Sequence, residues 1–206
     1  VVLANKSITL SGGWDANFTA RGGMSTIDGQ GARRGIVIYS STIATIEYFI
    51  IQNCFKDDYY GGGAGILNTG TLALNTSIVT KNLANGNHAE GGGILNAGTM
   101  TLNNSAVNSN TAYEGGGIYN TIGTLRLNNS TVSNNFASSG GGVYNSSGTL
   151  NLNNSTVTGN FSDPNSAGGI ASMGGPANIK NTILAGNVGK DCGPFNINSF
   201  LFLVLK

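Results

Sequence analysis

Apolar residues recur along this chain at two spacings, a short one within segments and a long one between them. Within segments they alternate with polar residues: Leu72 and Leu74, Met100 and Leu102, Leu125 and Leu127, Leu150 and Leu152. A period of two marks strands. Val79, Val107, Val132, Val157 and Leu184 form a second apolar column, and Ile66, Ile94, Ile118, Val143 and Ile170 a third, directly after glycines. The third column advances by 28, 24, 25 and 27 residues, so one motif is written repeatedly. The copies are GGAGILNTGTLALNTSIVTKN (62–82), GGGILNAGTMTLNNSAVNSN (91–110), GGGIYNTIGTLRLNNSTVSNN (115–135) and GGGVYNSSGTLNLNNSTVTGN (140–160), with a looser copy AGGIASMGGPANIKNTILAGN (167–187). A unit this short cannot bury its own apolar face, so the copies must stack.

From Leu74 to Val79 the spacing is odd, and one straight strand cannot point both inward. The phase must slip between them, where Thr76, Asn104, Asn129, Asn154 and Asn181 stand. Asn tolerates the left-handed conformation that a sharp corner needs. Each copy therefore predicts three short strands and three bends. The fold class is all-β: a single-stranded parallel β-helix, right-handed by the general bias of parallel crossovers, with roughly six to seven rungs about 4.8 Å apart. No stretch shows a 3.6-residue apolar period, so little helix is expected.

Asn recurs in three columns: Asn68/Asn96/Asn120/Asn145, Asn104/Asn129/Asn154/Asn181 and Asn82/Asn110/Asn135/Asn160/Asn187. Stacked amides bond to one another up such a column, as in cross-β ladders. One further rung reads upstream. ATIEYFIIQNC (44–54) aligns with 72–82, Ile46 taking the Leu74 place, Ile51 the Val79 place and Phe49 that of the small Ser77. GARRGIVIYSS (31–41) belongs to the rung before it. Residues 1–30 do not repeat; they read as a first strand at 7–10 plus an N-terminal cap around Trp14, the only tryptophan. The whole is one domain, with rungs over 31–187 and a C-terminal tail or cap over 188–206.

Composition narrows the function classes. The chain has 206 residues, 9% charged, with a net charge of +1 and no basic cluster beyond Arg33-Arg34, which argues against a nucleic-acid partner. Low charge with abundant Asn, Thr, Ser and Gly suits an extracellular or cell-surface protein. Cys54 and Cys192 lie about five rungs apart, on the order of 20 Å, too far for a bridge. No leader and no membrane-spanning run is read; FLFLVLK (200–206) is too short to cross a bilayer and reads as a last strand or a cap. Six adjacent apolar residues, 200–205, need burial, either on the last rung or against another copy stacked end to end.

The repeats and the upstream ITLSGGWDANFTAR (8–21) and STIDGQG (25–31) resemble the pectin-lyase-like right-handed β-helix proteins of bacteria, above all large secreted and surface repeat proteins of the autotransporter and adhesin kind. The resemblance covers about residues 7–192. It implies the β-helix and leaves function open, because this scaffold hosts enzymes, binders and spacers alike.

Sugar-cleaving members need converging acids. The nine carboxylates here avoid the strand columns of the clear copies, and Arg126, the only charged residue in those strands, has no acid beside it. No catalytic residue and no cofactor is assigned. The one distinctive edge is the set of loops 55–61, 83–90, 111–114, 136–139 and 161–166, where the repeat changes length. They gather Asp57, Asp58, Tyr59, Tyr60, Glu90, Tyr113 and Glu114, together with His88, Phe136, Phe161 and Asp163. Aromatics stack on sugars and carboxylates hold Ca²⁺, so this edge is the candidate ligand-binding site, with surface glycans or Ca²⁺ as ligands. The alternatives are solvated loops that merely collect polar residues, and a flat Thr array for ice, which Arg126 interrupts. The expected function is a non-catalytic structural spacer or adhesin-like module, the alternative a polysaccharide-binding or polysaccharide-cleaving protein.

Overall fold

The computed structural model describes residues 1–3, 6–57, 59, 61–193 and 196–203, the last segment by its backbone. Every strand pairing in it is parallel, no helix occurs among the described residues, and the sheets stack as a β-solenoid. The first face is an eight-stranded sheet. A two-residue strand (Val2–Leu3) and a short one (Lys190–Cys192) close its ends, and Ile36–Ile38, Ile66–Asn68, Ile94–Asn96, Ile118–Asn120, Val143–Asn145 and Ala167–Ser172 lie between. The second face holds the five-residue strands Ile43–Glu47, Thr71–Asn75, Thr99–Asn103, Thr124–Asn128 and Thr149–Asn153, and the third holds Phe49–Gln52, Ile78–Thr80, Ala106–Asn108, Thr131–Ser133 and Thr156–Thr158. Pro176–Ala185 runs through both faces and joins them into one sheet.

The register follows the sequence columns. Ile66, Ile94, Ile118, Val143 and Ile170 are paired in turn, as are Val79, Val107, Val132, Val157 and Leu184. All are essentially inaccessible to solvent and belong to one continuous core. The upstream rung has the expected alignment, Ile46 pairing with Leu74 and Ile51 with Val79. The phase slip is a left-handed residue at each rung: Thr76, Asn104, Asn129, Asn154 and Asn181 all have φ between 44° and 50°. A second left-handed column follows five residues later, at Asn53, Lys81, Ser109, Asn134, Gly159 and Gly186.

Two of the Asn columns are buried ladders. Asn68, Asn96 and Asn120 each donate an amide proton to the next amide oxygen at 2.7 Å. Asn82, Asn110, Asn135 and Asn160 do the same at 2.9 Å, and each amide oxygen in Asn110, Asn135, Asn160 and Asn187 also accepts the backbone N–H of the Asn one rung earlier. This ladder has built ends. Cys54 stands where the next Asn would be at one end, its N–H donating to Asn82. At the other, the Asp191 carboxylate accepts both the N–H and the amide of Asn187. Buried polar groups survive only when bonded, and here the repeat supplies each partner.

The first 28 residues contribute strands to all three faces: Val2–Leu3, Ser7–Ser11 and Ser25–Asp28 pair with the rung that follows. Residues 12–24 leave the stack as a loop in which Arg21 lies over the Trp14 and Tyr48 rings and pairs with Glu47. At the other end Asn196–Leu203 adds a parallel strand on Pro176–Ala185 of the same chain. The expected apolar run 200–205 falls partly on this strand; residues 204–206 lie outside the described residues. One length change lies off the loop edge, in the turn Thr121–Gly123, where Ile122 is pushed into solvent.

Candidate functional site

The loop edge begins where the buried Asn ladder ends, and the ladder's regularity carries over into it. Leu83, Thr111, Phe136, Phe161 and Val188 bridge one another in parallel as the chain enters the loops. Gly62, Glu90, Glu114 and Ser139 do so as it leaves them. Small residues make this possible: Ala64, Ala84, Ala89 and Ala112 form a separate buried cluster beneath the edge. The glycine triplet then turns the chain onto the first face. Gly115 has φ of 60°, a Cβ at Gly116 would strike the Phe136 carbonyl, and one at Gly117 the Gly142 carbonyl.

This geometry gathers part of the expected site. His88 lies between the two exposed tyrosines, edge-on to Tyr59 at 5.2 Å and to Tyr113 at 5.7 Å between ring centroids. Glu90 and Glu114 occupy paired positions on adjacent rungs, so their backbones lie about 4.8 Å apart. Burial pushes both carboxyl groups above their ordinary value. A hydrogen bond from Tyr119 draws Glu90 partly back, and the field of His88 does the same for Glu114. Asp57 is turned to another use, accepting the Asn85 amide at 3.0 Å on the small two-stranded sheet of Phe55–Asp57 and Leu83–Asn85. Asp58 and Tyr60 lie outside the described residues.

The sequence placed His88 on this edge, and two finer features were not read from it. One is the position of this single, non-repeating residue between the two tyrosines. Leu67, Leu95, Tyr119 and Tyr144 form an outward column on the first face, in register. Tyr119 and Tyr144 stack at 5.0 Å with their planes 4° apart, beside the two glutamates, and burial raises both phenols. The signal was present: Ile-Leu and Ile-Tyr follow the glycines, and two adjacent residues of a strand cannot both face inward.

The stacked aromatics limit what the edge can bind. Phe136 and Phe161 stack at 4.9 Å and 7°, so each ring covers a face of the other. Sugar stacking needs an open ring face, which this pair offers only at its ends. Tyr59 and Tyr113 meet His88 in edge contacts rather than by stacking, and the two residues are 52% and 42% exposed. Among the described residues no three His, Cys, Asp or Glu side chains group to hold a metal ion, and the geometry adds nothing to the Ca²⁺ expectation. Chemically, the edge offers a protonatable carboxyl pair, an imidazole and hydroxyl-bearing rings.

No helix among the described residues is long and apolar enough to cross a membrane. No protein-family model matches the chain, and neither a curated protein nor a solved structure matches it; what stands without them is the parallel β-solenoid itself.

Proposed function

We propose that this chain is a non-catalytic extracellular or cell-surface β-helix, of the pectin-lyase-like kind its repeats resemble, serving as a rigid spacer or adhesin-like module. The observation that carries this reading is how the carboxylates are used. Asp15 caps its own loop through Thr19, Asp28 accepts from Gln52 and Asn53, and Glu47 holds Arg21 and Ser11. Asp57 takes the Asn85 amide and Asp191 ends the Asn ladder. Acids spent on fixing corners and ladder ends suit a scaffold. Glu90 and Glu114 alone among these are brought side by side on neighbouring rungs. Incubation with pectate, polygalacturonate and a plant-glycan panel, with and without Ca²⁺, should release no reducing or unsaturated ends. Release that disappears in Glu90→Gln with Glu114→Gln would make the protein an enzyme.

One arrangement favours the second reading, glycan binding at the loop edge: Tyr59, His88 and Tyr113 stand together on the edge that also carries the glutamate pair. Binding on a glycan array that is lost in Tyr113→Ala with His88→Ala supports it; binding that these changes leave intact removes the edge from consideration. End-to-end self-association belongs to the spacer reading. Asn196–Leu203 pairs on one side only among the described residues, and an unpaired strand edge is a template for another chain. Light scattering of the chain with and without residues 200–206 tests it. A tail-dependent increase in particle length is expected, and a monomer in both cases would exclude it.

A further inference from the structure

Arg126 interrupts a repeat that has no structural use for it. The same outward column reads Ala73, Thr101, Arg126, Asn151 and Asn178, paired in turn across the second face. Two residues along, the neighbouring outward column reads Asn75, Asn103, Asn128, Asn153 and Lys180. The two cations therefore stand at diagonal corners of one patch, two rungs and two residues apart, about 12 Å between Cα atoms from ordinary strand spacings. Both are exposed. They line a groove of about 600 Å³ together with Asn128, Asn151, Asn153 and Asn178, and among the described residues no carboxylate lines it.

The amides of this groove are only partly used. Asn178 donates to the Asn151 oxygen at 2.9 Å, which leaves the Asn178 oxygen and the Asn151 amide protons facing outward bonding partners. Asn128 donates to Asn103, leaving its oxygen. A groove that pairs two separated cations with a set of amide donors and acceptors matches a chain of hydroxyl groups punctuated by negative charge. We propose that the outer groove of the second face, between Arg126 and Lys180, binds an anionic polysaccharide. The cations meet its acidic substituents and the asparagines meet its hydroxyls. Nucleic acid fits less well: two cations are few against a phosphate backbone, and among the described side chains no aromatic ring lines the groove to stack on bases. The groove lies on a different face from the loop edge, so it stands or falls separately from the functional reading above.

The test uses substitutions that the repeat itself supplies. Arg126→Thr and Lys180→Asn install what neighbouring rungs carry in those columns, so the fold should be kept, which circular dichroism and melting temperature verify. Binding is measured by calorimetry against a uronic-acid oligosaccharide, a sulfated oligosaccharide, an uncharged oligosaccharide of equal length and single-stranded DNA. Binding to one or both anionic sugars is expected, weakened by added salt and about tenfold or more by the double substitution. Carboxylate-only or sulfate-only binding identifies the acidic group. No binding to either anionic sugar, undiminished binding by the folded double variant, equal binding of the uncharged sugar, or tighter binding of DNA would each overturn the proposal.

Discussion

Replacing Asn110 by Ala should cost far more than replacing Asn103 by Ala, although both are ladder asparagines on the same rung. Asn110 is fully buried. Its amide oxygen accepts from the Asn82 backbone N–H at 3.0 Å and from the Asn82 amide at 2.9 Å. Its own amide donates to the Val79 carbonyl at 3.0 Å and to the Asn135 oxygen at 2.9 Å. Truncation removes all four bonds. The Asn82 amide keeps the Ile51 carbonyl, and the Asn135 oxygen keeps the backbone N–H of residue 110. The buried Asn82 N–H is left without this acceptor. An orphaned buried donor costs about 1–3 kcal/mol and each of the other three lost bonds about 1 kcal/mol net, so a total near 4–6 kcal/mol is expected. Asn103 bonds to Asn75 and Asn128 on the outer surface, both at 2.9 Å, where water replaces a lost partner. Its truncation should cost under about 1 kcal/mol. Urea unfolding followed by circular dichroism measures both, with melting as a second readout; for a chain of this size the Asn110 change should lower Tm by about 10–20 °C. Costs for the two variants that agree within about 1 kcal/mol would refute the claim that the inner ladder holds the stack.

Thr76→Asn should stabilise the protein by about 1 kcal/mol, because Thr76 holds the left-handed corner (φ 44°) that Asn fills at four later rungs, and a β-branched residue is strained there; an unchanged or lower Tm would contradict this. Since burial raises the Glu90 and Glu114 carboxyls above 4.5, the stability they contribute is complete at low pH and lost as pH rises through their raised values. Glu90→Gln with Glu114→Gln should therefore flatten the stability profile above pH 4.5 and gain relative to the parent at neutral pH; a parallel profile in parent and variant would dismiss the shared desolvation. The buried Cys54 thiol, pushed up to about 11 by desolvation, should resist iodoacetamide at neutral pH in the folded protein and react once denatured; alkylation of the native chain at the rate of a free thiol would show the core to be open.

The stack was legible because its rules are repeated in residue types. Leu, Val and Ile columns gave the faces, and Asn at 104, 129, 154 and 181 gave the left-handed corner. The second corner was not legible. Asn53, Lys81, Ser109, Asn134, Gly159 and Gly186 share a conformation without sharing a chemistry, so their column disappears among polar residues. The first rung was hidden for a related reason: Ile8, Leu10 and Ile27 keep the alternation, but the loop 12–24 breaks the spacing that identifies a copy. At the candidate site the shared edge was readable from loop position. The adjacency of Glu90 and Glu114 was not, because it depends on how loops of unequal length are pinned at their exits by stacked backbone. The place of His88 between two tyrosines has no repeating signal at all.

The central claim is that the repeats stack in parallel, one rung per copy and in register, and cysteine cross-linking tests it most directly. Thr131 pairs with Thr156, and Thr156 with Ile183 on the third face. In a Cys192→Ser background, Thr131→Cys with Thr156→Cys places two thiols one rung apart, within the Cα range a disulfide spans, whereas Thr131→Cys with Ile183→Cys places them two rungs apart at about 9.6 Å. Mild oxidation of the native protein should join the first pair and not the second, and neither should be joined selectively in denaturant. Failure of the 131–156 pair to cross-link, or equal cross-linking of 131–183, would contradict the in-register solenoid.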